Sequence, residues 1–469
     1  MLIWIQFDDF MDRIYRQYEA RLKPGSMTGH EVEMPLVMKK TGLQPALEDV
    51  SSMLLAIQKI ERGWEPKFEP LIINGKQSTE HCTSVVRKID GFADEVTTDM
   101  AIGTMEVVLG PEKDLSANER KLRRRLSVIM EAAERSGIEM LGLGIQPFQR
   151  RSFDNVMPKS RYLYLVEHFG DDLIDMTVTA AAQVHVDVSK ENAVSTLNTM
   201  VGFSPAIIAL TANSTILEDD IDNRQEFRGT AWSIMTRNKI IEEERVGTPN
   251  RFASIEDWFV RIVGFKPILI ARDNDYLHFG RNNPDSFSSF MGRKESTVLT
   301  VGSNSQVIVN PKIEDFMILL GSIWTDARLT RYGTVEMRAP PCQPSIKDLM
   351  SINALVLGLR NNSYEAENYL KRFSDSEIKK ARIDAIYNGL DSSIGDVSIK
   401  EVSDNMLKIA ARGLESQHLH YLQPMRDTLE EGVNHAVRSR RRFLEFKRMN
   451  LSGQDFLDAF ITAHRFDIS

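Results

Sequence analysis

Alternation with period two marks four strands, each with one apolar face and one face that is mainly acidic. Gly29-His30-Glu31-Val32-Glu33-Met34-Pro35 puts Glu31 and Glu33 on one side and Val32 and Met34 on the other. Glu106 stands between apolar neighbours in Gly103-Thr104-Met105-Glu106-Val107-Val108-Leu109. Gln183, His185 and Asp187 share a face opposite three valines, and Glu336 and Arg338 share one opposite Val335 and Met337. A solvated face draws heavily on Lys, Ser and Thr; these faces are dominated by Glu, His, Asp, Gln and one Arg. Two carboxylates roughly 7 Å apart on one strand repel each other, so an inward-facing pair needs a cation. Four unrelated surface strands are the alternative. The repetition favours one shared, inward-facing site for a hard divalent metal beside phosphate.

Helical spacing runs through residues 8–22 (Phe10, Ile14, Tyr18) to Pro24-Gly25. It returns in 44–61, where Leu47, Met53, Leu54 and Ile57 form the expected buried stripe. Leu71 to Gly75 reads as a strand ending in a turn. Ser116-Ala117-Asn118-Glu119 has capping-box spacing for a helix striped by Leu122, Leu126, Ile129 and Ala133, which Gly137 would end. Leu141 to Pro147 reads as a strand turning into a loop, Met157 to Tyr162 opens a helix, and 174–188 forms the His185 strand. Ser195 to Leu217 is apolar enough for a buried helix ending near Ala212-Asn213-Ser214. Residues 222–250 are polar, with Arg228, Trp232 and Arg237 spaced along them. Residues 281–297, rich in Ser and Asn without periodicity, read as a mobile loop or lid. After Ala339-Pro340-Pro341 the chain turns helical, starting from a cap at Ser345-Ile346-Lys347-Asp348. The expected class is α+β: a curved, mainly antiparallel sheet with helices on its apolar back. Residues 1–344 carry the acidic strands, and 345–469 form a helical part expected to pack on the same domain.

At 469 residues the chain can bury a sizeable core, and 42% apolar with 26% charged residues are soluble-protein proportions. A net charge of −8 argues against nonspecific nucleic-acid binding. Cys82 and Cys342 are the only cysteines, leaving no disulfide framework and no cysteine-rich zinc site. Met1 to Phe7 is too short for a signal h-region, and no run of about 18 apolar residues suggests a membrane span. A cytoplasmic protein is the expectation. The basic run Arg438, Arg440, Arg441, Arg442, Lys447, Arg448 reads as a solvated helix face before it reads as an anion site.

The chain has no GxxxxGK[ST] loop, HExxH helix or GxSxG elbow, and Gly142 and Gly144 lack the rest of a dinucleotide fingerprint. Carboxylates that bridge Mg2+ to phosphate oxygens are another way to hold ATP. Arg338 can add two parallel donors to a phosphoryl oxygen, giving transfer by positioning and charge stabilisation. The same acids around two metals also suit a nucleotide-free hydrolase, and a noncatalytic nucleotide-binding protein is a third reading. His185 is balanced between a core histidine and a ligand. Arg338 reads structurally as a salt bridge to Glu336, and Asp99 as ligand, supporting partner or helix cap.

In order, these segments resemble the glutamate–cysteine ligases (γ-glutamylcysteine synthetases) of the bacterial and plant branch. Gly29-His30-Glu31-Val32-Glu33 is similar to their GxExE opening, and Thr97 to Glu106 to their second acidic motif. Met157-Pro158-Lys159-Ser160-Arg161-Tyr162 resembles MPKxRY, Gln183 to Asp187 the central strand, Ala212-Asn213-Ser214 a small-residue turn, and Arg328 to Arg338 the late ExR strand. The resemblance implies a glutamine synthetase-like funnel holding ATP and Mg2+ or Mn2+. It implies joining of the γ-carboxylate of glutamate to an amine, cysteine first, through an acyl phosphate, as in glutathione biosynthesis. Glu31, Glu33, Glu106, His185 and Glu336 would be metal ligands, with Glu31, Glu336 and Arg338 as the catalytic set. Arg338 and Lys159 would face ATP, and Arg161, Arg228 and Trp232 the amino-acid pocket. Residues 1–344 would then be the ligase region, with small molecules as partners and neither nucleic acid nor membrane. Three segments depart from the family pattern: Thr215 replaces a proline, Arg228-x-x-x-Trp232 continues without an acid, and Ala339-Pro340-Pro341-Cys342-Gln343-Pro344 replaces an Asp-containing turn.

Overall fold

Val32, Met34, Met105, Val107, Val184, Val186, Val335 and Met337, the apolar halves of the four alternations, are all buried. The computed structural model describes residues 9–236, 239, 241–273, 275–280, 284–449, 451 and 453–469; Arg237 and Met1 to Phe7 lie outside them. The buried side chains meet behind one antiparallel sheet. Its strands are β1 (Thr28–Met38), β2 (Glu65–Lys67), β3 (Ser84–Ile89), β4 (Phe92–Thr98), β5 (Thr104–Glu112), β6 (Ile138–Met140), β7 (Ala182–Asp187), β8 (Ala327–Leu329) and β9 (Thr334–Met337). Their order is β8-β9-β7-β1-β5-β4-β3-β2, and β6 pairs with the far end of β1. The acidic strands β9, β7, β1 and β5 are therefore adjacent. Register completes the alignment, setting Glu33 opposite Glu106, Glu31 opposite Gln183, and Glu336 opposite His185.

The apolar back is covered by the Leu115–Arg135 helix on β5, the Ile346–Asn361 helix on β7 and the Ala193–Thr211 helix on β8 and β9. The last is long and apolar enough to cross a membrane, yet its apolar window is 89% buried in protein, as a central core helix is. From Ile346 to His464 the chain is mainly helical, apart from a two-residue strand pair at Ser393–Ile394 and Val397–Ser398. One apolar cluster joins Val32 and Leu329 to Ile352, Ile386 and Met406. This is an α+β arrangement with an antiparallel sheet.

Several local expectations need correction. Asp114, not Ser116, caps the Leu115–Arg135 helix, accepting from Ala117 N at 3.0 Å. The capping-box spacing hid a better acceptor two residues earlier. Within 174–188 the strand is β7, shorter than expected; Gly170–Val178 is a 3-10 segment, pinned where Thr177 Oγ1 donates to Ile174 O at 2.7 Å. Residues 141–147 are irregular because the strand there is β6, three residues long and ending at Met140. The described part of 281–297 is no loose lid. Ser286 caps a short helix, Phe287–Met291, whose Phe287 and Phe290 are fully buried, and the Ser296–Thr300 strand follows. Leu47 is only half-buried, and Val50 takes its place in the stripe.

The basic run is largely spent on the chain itself. Arg440 donates to Thr215 Oγ1, Asp222 O and Arg224 O, Arg442 to Ala463 O, and Lys447 pairs with Asp219. Arg440 thereby ties the last helices to the turn after Asn213.

Candidate active site

The acidic face lines a cavity of about 340 Å³. Glu31, Glu33, Glu106, His185, Glu336, Arg338, Arg161, Arg228 and Trp232 all reach it. Lys159 stands just behind the lining, its Nζ 3.2 Å from Thr97 Oγ1 and 3.5 Å from Glu69. Asp187 turns away and accepts from Met27 N at 3.1 Å. Asp99 is no helix cap: its backbone N–H belongs to the turn closed on Thr104 O, and its carboxylate faces the cavity and accepts from Tyr162 at 3.3 Å.

Glu31, His185 and Glu336 bring one ligand atom each to within 4.8 Å of one another. His185 Nε2 is 3.1 Å from Glu31 Oε1, and its Nδ1 meets Thr334 Oγ1 at 3.1 Å, which fixes the ring. Burial would hold this histidine neutral, but Glu31 and Glu336 together raise its affinity for a proton. Two more carboxylates face each other across β1 and β5. Burial, then the Asp99 charge, pushes Glu33 up to about 7, against the pull of Arg228 and Arg338. Burial, then Asp99, Glu31 and Glu33, holds Glu106 well above the usual carboxylate range. Crowded oxygen donors with one imidazole are the set a divalent cation fits, because it would relieve this repulsion.

Glu336 behaves oppositely. Burial disfavours its charge, yet Arg328 and Arg338 outweigh burial and hold it well below the usual range. Arg328 grips both carboxylate oxygens, Nε to Oε2 at 2.6 Å and Nη2 to Oε1 at 3.3 Å. Arg338 Nη1 donates to Oε1 and to Gln183 Oε1, while Gln183 Nε2 donates to Glu33 Oε1 at 2.8 Å. Oε1 thus accepts from both arginines, whereas Oε2 accepts from Arg328 and has a second lone pair, which leaves Glu336 able to face a cation as well. Arginine, glutamine and two glutamates thus hold one another in place across β9, β7 and β1.

Away from the acids, Arg228 donates to Arg338 O at 2.7 Å, while its buried Nε has no hydrogen-bond partner among the described residues. Trp232 stacks on Trp324 with centroids 5.6 Å apart, and the Arg338 guanidinium lies 5.9 Å from the Trp232 ring. Arg161 donates to Gly321 O at 3.3 Å beside the rings of Tyr162 and Tyr276. Met100, Leu165, Leu173 and Met176 form an apolar wall. Sequence reasoning assigned no role to Arg328, Tyr162 or Gln183. Arg328 sits opposite Glu336 in register, but β8 is three residues long, too short for alternation to show.

The sequence profile of Glutamate-cysteine ligase family 2 (GCS2) matches residues 27–454. The chain belongs to that family. Chloroplastic glutamate–cysteine ligase from Nicotiana tabacum is 24% identical over 352 residues, 71% of this chain and 63% of that protein. The Arabidopsis thaliana counterpart is 24% identical over 351 residues, with the same shares. This family member therefore spans about 63% of the length of those relatives. Among solved structures, a glutamate–cysteine ligase from Francisella tularensis in complex with AMP aligns with 94% of this chain and 89% of its own. That alignment has a TM-score of 0.49 and 10% identity. After the Ala212-Asn213-Ser214 turn, Thr215 donates its hydroxyl to Arg224 O at 2.9 Å and accepts from Arg440 at 2.5 Å.

Proposed function

We propose that this chain is an ATP- and divalent-metal-dependent ligase that joins the γ-carboxylate of glutamate to an amine, cysteine first, through an acyl phosphate. The observation that carries this reading is the convergence of Glu31, Glu33, Glu106, His185 and Glu336 with Arg338 on one cavity-lining face of a family member. In this reading the sheet is the funnel of a glutamine synthetase-like fold. Glu31, Glu33, Glu106, His185 and Glu336 would hold Mg2+ or Mn2+, which would neutralise phosphate oxygens and polarise the transferring group.

Arg338, kept in line by Gln183 and Glu336, presents donors to the phosphoryl oxygens. Lys159 adds positive charge from the Thr97 side. Arg228 and Arg161 receive the amino-acid carboxylates, and Trp232 forms the adjoining wall. A glutamate γ-carboxylate oxygen attacks the γ-phosphorus of ATP, and the bond to ADP breaks. The deprotonated amine then attacks the acyl carbon, an amide forms and phosphate leaves. Met100, Leu165, Leu173 and Met176 help keep water from the activated acyl group.

The test is a phosphate-release screen with ATP, Mg2+, glutamate and each common amine. Release that requires ATP, glutamate and one amine together is expected, strongest with cysteine. Turnover without ATP would assign the acids to a hydrolase. A Mg-ATP thermal shift with no phosphate release from any pair would leave a binding protein.

A further inference from the structure

The Asp375–Asn388 helix belongs to the C-terminal part, yet it holds the Phe227–Ile234 helix that carries Arg228 and Trp232. Ile386 O accepts from Gln225 N at 2.8 Å and Glu226 N at 3.1 Å, fixing the entry to that helix. One turn back, Arg382 is 3% exposed and bridges two elements of the site. Its Nη2 donates to Gly229 O at 2.9 Å, and Nε and Nη2 grip both oxygens of buried Asp326 at 2.7 and 3.0 Å. Asp326 is tied onward: its backbone O accepts from Arg338 N at 2.8 Å, and Thr248 donates to its carboxylate at 2.6 Å. The packing is close on both sides. A Cβ on Gly229 would lie 2.8 Å from Ile386 Cδ1, and one on Gly247 would lie 3.3 Å from Arg382 Cζ.

We propose that Arg382 is a positioning residue: the guanidinium splints the Arg228 and Trp232 helix to the strand end bearing Arg338, so the C-terminal part sets the geometry of the substrate side. A planar fork suits this task because one group satisfies a backbone carbonyl and a carboxylate at fixed angles, whereas an ammonium is a point charge. The proposal rests on the ligase reading of the cavity, so its test includes a readout that needs no turnover.

Two variants are compared with the wild-type chain: Arg382→Lys, which keeps the charge and loses the fork, and the double variant Asp326→Asn with Arg382→Gln, which removes both charges together. Both are expected to melt cooperatively. KM for glutamate should rise by at least roughly tenfold while KM for ATP stays within about threefold, because Arg228 and Trp232 lose their alignment and the acid cluster does not. The near-ultraviolet circular dichroism of the stacked Trp232 and Trp324 pair should fall toward that of Trp232→Phe. Unchanged KM and unchanged dichroism in either folded variant would overturn the splint, and so would failure of both variants to fold, which would make the pair a structural strut. If the wild-type chain releases no phosphate with any substrate pair, the ligase reading falls and the dichroism alone decides the splint.

Discussion

Glu336→Gln is expected to lower Mg2+-dependent phosphate release by roughly 100-fold or more, the scale seen when a preorganised charge partner is lost from a water-poor site. The substitution preserves volume and removes the charge shared by Arg328, Arg338 and His185. It also leaves two buried guanidiniums facing each other, at a cost of about 3–5 kcal/mol if neither relaxes. Activity loss alone would therefore be ambiguous. Glu31→Gln separates the causes, because Glu31 is partly exposed and its one ion-pair partner among the described residues is His185. That variant should keep its melting temperature within a few degrees and lose activity on the same scale, together with most of its Mn2+ affinity. Full activity in both would remove the acids from the chemistry.

Glu106→Gln is expected to do the reverse to stability: the metal-free chain should gain about 1 kcal/mol or more at pH 8. Glu106 lies opposite Glu33 in register and faces Asp99 and Glu31 as well. Burial and these charges raise its proton affinity in the folded chain, so the folded state keeps a proton that the unfolded state has released. Stability from such a group is complete below the unfolded value near 4.5 and is lost as pH rises toward and through the raised folded value. The gain should vanish near pH 4.5 and grow toward pH 8. Added Mg2+ or Mn2+ should stabilise wild type by about 2.7 kcal/mol at 100 times its dissociation constant, and the variant by much less. Melting curves at pH 5 and pH 8, with and without metal, measure both effects. A less stable metal-free variant at pH 8 would contradict the picture of unrelieved repulsion.

Period-two alternation revealed the acidic strands because one face of each had to be apolar: Val32, Val107, Val184 and Val335 are buried, and the opposite face, Asp187 excepted, lines the cavity. Their adjacency in one sheet was not legible, since nothing local in β1 specifies β7 as a neighbour some 150 residues away. Short elements were lost for a related reason. Three-residue β8 and β6 give no period, so Arg328 went unassigned although it holds Glu336 more fully than Arg338 does. The serines of 281–297 suggested a loop because composition weighs residues equally, whereas two fully buried phenylalanines, Phe287 and Phe290, decide the packing of its described part. Arg382 gave no signal at all: on its helix it is one basic residue among several, and its partner Asp326 lies 56 residues before it.

Activation of a carboxylate by ATP leaves an isotopic mark on the phosphate released. Glutamate labelled with oxygen-18 in its γ-carboxylate, incubated with ATP, Mg2+ and cysteine or the best amine, should yield phosphate carrying one labelled oxygen for each amide formed. Unlabelled phosphate, or amide formed without ATP, would contradict it.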